Sequence, residues 1–236
     1  TNRKQLSFVS EDRINKQAFQ AYETVKQNEN LIKSGSEFRA LNEVGKRVTG
    51  SVEQYFKNMG QLDTLKDYNW EFILIDDNET LNAWCMPGGK IAFYTGILDV
   101  TANTDGLASV MGHEIAHAVA KHSLERASQA LAINVGTTIL DIALEGALSS
   151  SSADDYLVSL GLSLPFNRLQ ESEADYLGLA FMTMAEYDNN EAYKVWERMK
   201  EAQKGSPPEF LSTHPSPKNR IQKIKNWIPE VNARFS

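Results

Sequence analysis

"VMGHEIAHAVAKH", residues 110–122, holds three of the chain's four histidines. Its apolar residues, Leu107, Val110, Met111, Ile115, Ala118 and Val119, recur at spacings of one, three and four. Few polar residues interrupt them, so the stretch predicts a helix buried on most sides. No proline breaks it, and Asn103 or Thr104 can cap its start. Residues four apart share a helix face, so His113 and His117 point the same way. Two imidazoles so placed can bind one metal ion, and Glu114, one position round, can reach a water on it. At average composition HExxH arises by chance roughly 1 time in 100 in a chain of this length. Two buried neutral histidines and a buried carboxylate would also be costly without a partner. His122 lies five residues after His117, about 140° round the same helix. That position suits a supporting or surface role rather than a ligand's.

Catalytic zinc usually takes three protein ligands and keeps one position open. A third histidine in an extended motif would need Gly at position 120 and His at 123, where the chain has Ala120 and Ser123. A carboxylate from a later helix is the alternative. "RLQESEADYLGLAFM", residues 168–182, is a largely apolar helical pattern interrupted by Glu171, Glu173 and Asp175. Glu171 and Asp175 share a face, and Glu173 points elsewhere. Alone, this would read as a solvated acidic stripe. With an unfinished site upstream, Glu171 becomes the candidate third ligand. Asp175, one turn on, can hydrogen-bond a ligand histidine and fix its tautomer.

HEIAH followed by ESEAD resembles the HtpX-like and BepA/LoiP-like zinc endopeptidases, in the same superfamily as the CaaX prenyl-protein protease. "NAWCMPGGKIAFYTGIL", residues 82–98, is similar to that family's NAF-x-x-PGG-x-I segment, and "STHPSPKNRI", residues 212–221, to its STHP-x-x-x-x-RI segment. "RKQLSFVSEDR", residues 3–13, resembles the start of mature bacterial periplasmic members. The resemblance implies a gluzincin-type zincin with one zinc per chain on His113, His117 and Glu171. It also implies a periplasmic or envelope location, a lipid anchor upstream of Thr1 and a role in protein quality control.

Composition bounds these expectations. The chain has 236 residues, of which 42% are hydrophobic and 23% charged, as in an ordinary globule with a substantial core. A net charge of −7 argues against nucleic acid as a partner. No apolar run reaches the ~18 residues needed to span a bilayer, unlike the membrane-embedded relatives. The single Cys85 excludes an internal disulfide and reads as a small buried residue. The start at Thr1, without a methionine, suggests a processed product.

The expected fold is α+β: a mostly helical zincin with a small mixed sheet whose edge strand faces the active-site cleft. A single domain over 1–236 is expected, with a helical lead-in over 1–62 and a catalytic core over 63–236. Helices are expected at 10–33, 36–59, around the HExxH motif, at 167–186 and 189–203, and from Pro217 with Ser216 as cap. Pro207 and Pro208 break the chain before that last helix. Strands are expected at 70–76, 82–86 and 90–94, the last two divided by a "PGG" turn. The small-residue, serine-rich stretch 145–165 reads as a mobile loop or weak helix. The 90–94 strand is expected to be the sheet's edge, where a polypeptide substrate adds as a further strand. Asn82, Ala92, Phe93 and Tyr94 are the candidate substrate-binding residues.

In the expected chemistry, Glu114 takes a proton from water activated by the metal and passes it to the leaving amine. His214 and Arg220 fit two roles. They would stabilise the developing oxyanion, or His214 would bind the open metal position at rest and leave when substrate arrives, gated with 145–165. Two other classes remain open: a non-peptidase zinc hydrolase, and a binding module whose structural zinc is closed by four protein ligands, His214 among them.

Overall fold

The computed structural model describes residues 10–135, 165–202, 209–215 and 219–236. The 145–165 stretch, except Pro165, lies outside them, as do Pro207, Pro208, Ser216 and Pro217.

The strands form one four-stranded mixed sheet. β1 (Leu31–Ile32), β2 (Glu71–Ile75), β3 (Ala83–Met86) and β4 (Lys90–Tyr94) lie in the order β1-β2-β4-β3. β2 runs parallel to β4, with Phe72 opposite Ile91 and Leu74 opposite Phe93. β3 runs antiparallel to β4, with Trp84 opposite Ala92. The turn between them is built on Gly88 and Gly89, both at positive φ (80° and 83°). At Gly89 a Cβ would also meet the Trp70 ring at 2.6 Å, so the position has room for glycine alone.

The alternation along β2 splits between the two faces of the sheet, and both are covered. Phe72 and Leu74 face the main core, where helix α2 (Ser36–Asn58) supplies Leu41, Val44, Val48, Val52 and Phe56. Ile73 and Ile75 face helix α1 (Glu11–Asn28), which contributes Ala18 and Tyr22 to a smaller second cluster. The helix expected over 10–33 ends at Asn28, because Leu31 and Ile32 pair with Leu74 and Ile75 instead. α2, within the expected lead-in, belongs to the same core as the HExxH helix.

The rest is helical: α3 (Leu98–Thr101), α4 (Thr104–Val119), α5 (His122–Val135), α6 (Arg168–Met184), α7 (Glu191–Glu201), α8 (Glu209–Thr213) and α9 (Arg220–Phe235). Asn103 caps α4, its side chain accepting from the Gly106 amide at 2.8 Å. Every residue of α4 from Gly106 to Val119 is buried, as the all-round apolar pattern requires. Asn167 and Gln170 form a reciprocal capping box at the start of α6. Asn219 occupies the N-cap position of α9.

α4 and α6 cross with backbone against backbone. A Cβ at Gly112 would meet the Gly178 carbonyl oxygen at 3.0 Å, and one at Gly178 would meet the His113 amide nitrogen at 3.0 Å. This contact lets short acidic side chains on α6 reach the imidazoles of α4.

Candidate metal centre

Four buried side chains from three elements converge. His113 and His117 come from α4, Glu171 from the first turn of α6, and His214 from the residue after α8. One ligand atom from each lies within 4.8 Å of all the others. His117 Nε2 is 3.1 Å from His113 Nε2 and 3.3 Å from Glu171 Oε1. His214 Nδ1 is 3.0 Å from Glu171 Oε1 and 3.2 Å from His113 Nε2. Ring nitrogens this close without a proton to share repel, and a cation between them removes the conflict. Glu114, also buried, has an Oε1 with no hydrogen-bond partner, 3.4 Å from His214 Nε2. Imidazole and carboxylate donors at these positions fit a zinc-type ion. The candidate ligands expected from the sequence are thus brought together, and His214, for which a place at the metal was one of two expected, lies with them.

A further layer holds these groups. Asp175 Oδ1 lies 3.1 Å from His113 Nδ1, the contact expected one helical turn beyond Glu171. Arg220 donates through Nη2 to Asp175 at 2.6 Å and through Nη1 to Glu171 Oε2, and its guanidinium lies 3.4 Å over the Trp196 ring. Arg220 is 1% exposed and does not line the cleft. The expectation that it supports an oxyanion is therefore corrected: both its terminal nitrogens are committed to carboxylates beneath the site.

Electrostatics follow this layering. Burial would raise the Glu171 carboxyl, but Arg220 and the histidines hold it well below the ordinary carboxylate range. Burial raises Glu114, only partly offset by His214 and His113. Burial drives His117 well below the usual imidazole value despite its contact with Glu171. A neutral imidazole is the form that ligates metal.

The centre opens onto a cleft of about 320 Å³ lined by Asn82, Trp84, Tyr94, Glu114, Phe166 and His214, among others. The edge expectation for 90–94 is corrected here. β4 is paired on both sides, and Ala92 and Phe93 are fully buried, so neither reaches the cleft. Among the described residues the edge strands are β1 and β3, and β3 is the one that lines the cleft. The pairing of β2 alongside β4 is a long-range event that no local pattern announces. Asn82 and Tyr94 do line the cleft.

A supporting role was one of those expected for His122, but its contacts, those of Glu173 and the place of Phe166 were not read from the sequence. α4 stops at Val119, Lys121 adopts φ 57°, and His122 opens α5, so the 140° rotation assumed for His122 does not apply. His122 instead turns back, its Nδ1 2.9 Å from His117 Nδ1. Glu173 points away from the centre, as expected, but meets His122 Nε2 at 3.1 Å. Phe166 stacks on the His117 ring at 3.7 Å. The Gly112–Gly178 contact left a legible trace: glycine inside a helix costs ~1 kcal/mol against alanine, and Gly112 adjoins His113 while Gly178 lies three residues beyond Asp175.

Comparison with known proteins agrees with this geometry. The chain is 36% identical to the mitochondrial metalloendopeptidase OMA1 of Schizosaccharomyces pombe, over 99% of this chain and 66% of that protein. It is 35% identical to OMA1 of Saccharomyces cerevisiae, over 78% of this chain and 54% of that protein. A putative beta-barrel assembly-enhancing protease of Vibrio cholerae is 30% identical over 72% of this chain and 38% of that protein. The chain thus spans about half to two thirds of the length of the two yeast relatives. The expected periplasmic location is overturned: the relatives at 36% and 35% are mitochondrial, and the bacterial proteases match only at 30% and 28%. The family model described as "Peptidase family M48" matches residues 46–228, well over half of the sequence. With its buried HExxH pair, its glutamate on the facing helix and relatives named as metalloendopeptidases, this chain belongs to peptidase family M48.

Proposed function

We propose that the chain is a zinc-dependent endopeptidase that cleaves unfolded or misassembled polypeptides. The observation that carries this reading is the convergence of His113, His117 and Glu171 beside an unpartnered Glu114 oxygen at the floor of a cleft. Zinc, held by His113, His117 and Glu171, would supply the Lewis acidity that polarises a scissile carbonyl and a water. Glu114 Oε1 receives the proton of the attacking water and returns it to the leaving amine. Asp175 holds His113 in place, and Arg220 keeps Glu171 ionised without burying an unpaired charge.

The substrate adds to β3. Tyr94 N–H donates to the Asn82 carbonyl, which makes Asn82, Trp84 and Met86 the residues bonded to β4. Ala83 and Cys85 therefore turn their main-chain groups outward, and the Ala83 amide is already taken by the Asn82 side chain at 2.9 Å. Cys85 N–H, with the Ala83 and Cys85 carbonyls, is left for an extended peptide. Recognition through backbone supports broad specificity for unfolded chains. A quality-control role in a bacterial envelope has only the two assembly-enhancing proteases, at 30% and 28% identity, in its favour.

His214 is the resting-state occupant of the fourth position. Its Nδ1 lies among the donors, where an oxyanion donor would instead stand off toward the substrate. Elemental analysis should find one zinc per chain. Glu114→Gln should keep that zinc and lose casein cleavage by ~100-fold or more; cleavage near the wild-type rate removes Glu114 as the base. His214→Ala should raise basal cleavage. A ~100-fold fall with zinc retained would make His214 an oxyanion donor, and no change in either would return it to a surface role.

A further inference from the structure

His117 reaches the candidate metal position through Nε2, and its other nitrogen faces another histidine. The two Nδ1 atoms of His117 and His122 are 2.9 Å apart. One proton must lie between them, and which ring owns it decides whether His117 presents a lone pair or an N–H to the centre. The answer comes from the far side of His122. Its Nε2 lies 3.1 Å from Glu173 Oε2, and an ionised carboxylate only accepts, so His122 Nε2 carries a proton. A neutral His122 then has a bare Nδ1 acceptor. The shared proton therefore belongs to His117 Nδ1, and His117 Nε2 is left as a lone pair aimed at His113 Nε2 and Glu171 Oε1.

We infer that Glu173 and His122 are positioning residues, a two-step relay that fixes the tautomer and orientation of His117. The inference rests on the reading of His117 as a metal ligand. Asp175 does the same for His113 in one step. Three alternate acidic residues of α6 thus divide the work: Glu171 ligates, Asp175 orients His113, and Glu173 orients His117 through His122. Reaching His117 from position 173 needs an intermediate ring, because that side chain leaves the helix roughly 200° from the side chain at 171. The break after α4 provides the ring. Lys121 in the left-handed region, which costs about 1–2 kcal/mol for such a residue, redirects the chain so that His122, fully buried, folds back under His117. Phe166, stacked on the His117 ring at 28°, confines its plane further.

The test compares the full chain with three variants. In the zinc-free wild type, nitrogen-resolved NMR of the imidazoles should show a proton on His117 Nδ1 and on His122 Nε2. A proton on His122 Nδ1 overturns the relay whatever the metal does. Chelator competition should then show zinc binding 10–100-fold weaker in His122→Leu and in Glu173→Leu. His122→Asn, whose amide oxygen can take the place of Nδ1, should recover most of that loss. Wild-type affinity in Glu173→Leu, or His122→Asn as weak as His122→Leu, would overturn the proposal, since packing alone does not distinguish those pairs. Melting of the zinc-free proteins reports whether His122→Leu folds; if it does not, Glu173→Leu and His122→Asn decide. A wild-type chain that binds no zinc would sink the metallopeptidase reading, while the tautomer measurement would still judge the relay.

Discussion

The α4–α6 pair and the four-stranded sheet both present polar groups to one cleft from a buried frame, but they do so by different routes. In the helices the side chains do the work. His113, Glu114 and His117 project from α4 at fixed rotations, and a glycine contact brings α6 close enough for Glu171 and Asp175 to meet them. In the sheet the main chain does the work. What β3 offers is the outward half of its own hydrogen-bonding groups, and it offers them only because nothing pairs with its outer edge among the described residues. A helix face is a local property, whereas a strand's edge is defined by the neighbours it lacks. Damage should therefore be sharp and chemical in the helices, and graded in the sheet.

The largest effect tests that contrast at its centre. His117→Ala and Glu171→Ala should each lose stoichiometric zinc and all measurable casein cleavage, while Glu173→Ala keeps stoichiometric zinc at saturating metal. Elemental analysis of the three proteins checks this. Zinc retained in Glu171→Ala and lost in Glu173→Ala would put the α6 register out by two residues.

Next comes the frame. Gly178→Val places atoms against the His113 backbone, which cannot move aside as a side chain could. Overpacking of this kind costs about 1–3 kcal/mol. Denaturant unfolding should show that loss, and chelator competition should show weakened zinc binding as α4 and α6 part. Unchanged zinc affinity would mean that the ligand geometry does not depend on the close crossing.

The sheet should respond more gently. Cys85→Pro removes an outward N–H from β3 and leaves the bonds to β4 in place. The loss of one intermolecular hydrogen bond, about 0.5–1.5 kcal/mol, should raise KM for unfolded substrates by roughly 2–10-fold with zinc content unchanged. Trp84→Pro, which breaks the ladder to β4, should instead destabilise the fold. Equal behaviour of the two variants would show that β3 does not carry substrate.

The smallest effect lies far from the cleft. Glu71 accepts from Lys26 at 2.7 Å and from Lys90 at 3.2 Å. Burial would raise its carboxyl, yet the two lysines hold it below its usual value. Its side chain is 35% exposed, so screening keeps the contribution of the ion pairs to about 0.5–1 kcal/mol. A carboxyl depressed in the folded state stabilises above its unfolded pKa, and that gain is lost as pH falls through the folded value. Glu71→Gln should therefore be slightly less stable at pH 7, the gap should close below about pH 4, and zinc binding should not change. A gap that persists at pH 3 would trace the loss to packing.

Legibility divides along the same boundary as the effects. Spacing and apolar context predicted His113, Glu114, His117, Glu171 and Asp175, because a helix places residues four apart on one face whatever surrounds it. The HExxH helix, the Asn103 cap and the hairpin over 82–94 were legible for similar reasons: capping, turn chemistry and periodicity act over a few residues. Arg220 and His214 were visible as members of one segment, and a place at the metal was one of two expected for His214, but the place of Arg220 was not legible. Arg220 binds carboxylates beneath the centre and His214 lies among the candidate ligands, and this depends on how α9 and α8 dock. His122 was misplaced by extending a helix through Lys121, where a single left-handed residue redirects the chain.

What the sequence determined by itself is therefore the inventory of candidate ligands and the faces on which the two helices carry them. Those follow from backbone geometry within one element. Which edge strand borders the cleft and which carboxylate serves which imidazole were decided by contacts between residues tens of positions apart. Such contacts form only when the whole core closes, because the cost of ordering each segment is repaid by burial that several elements share.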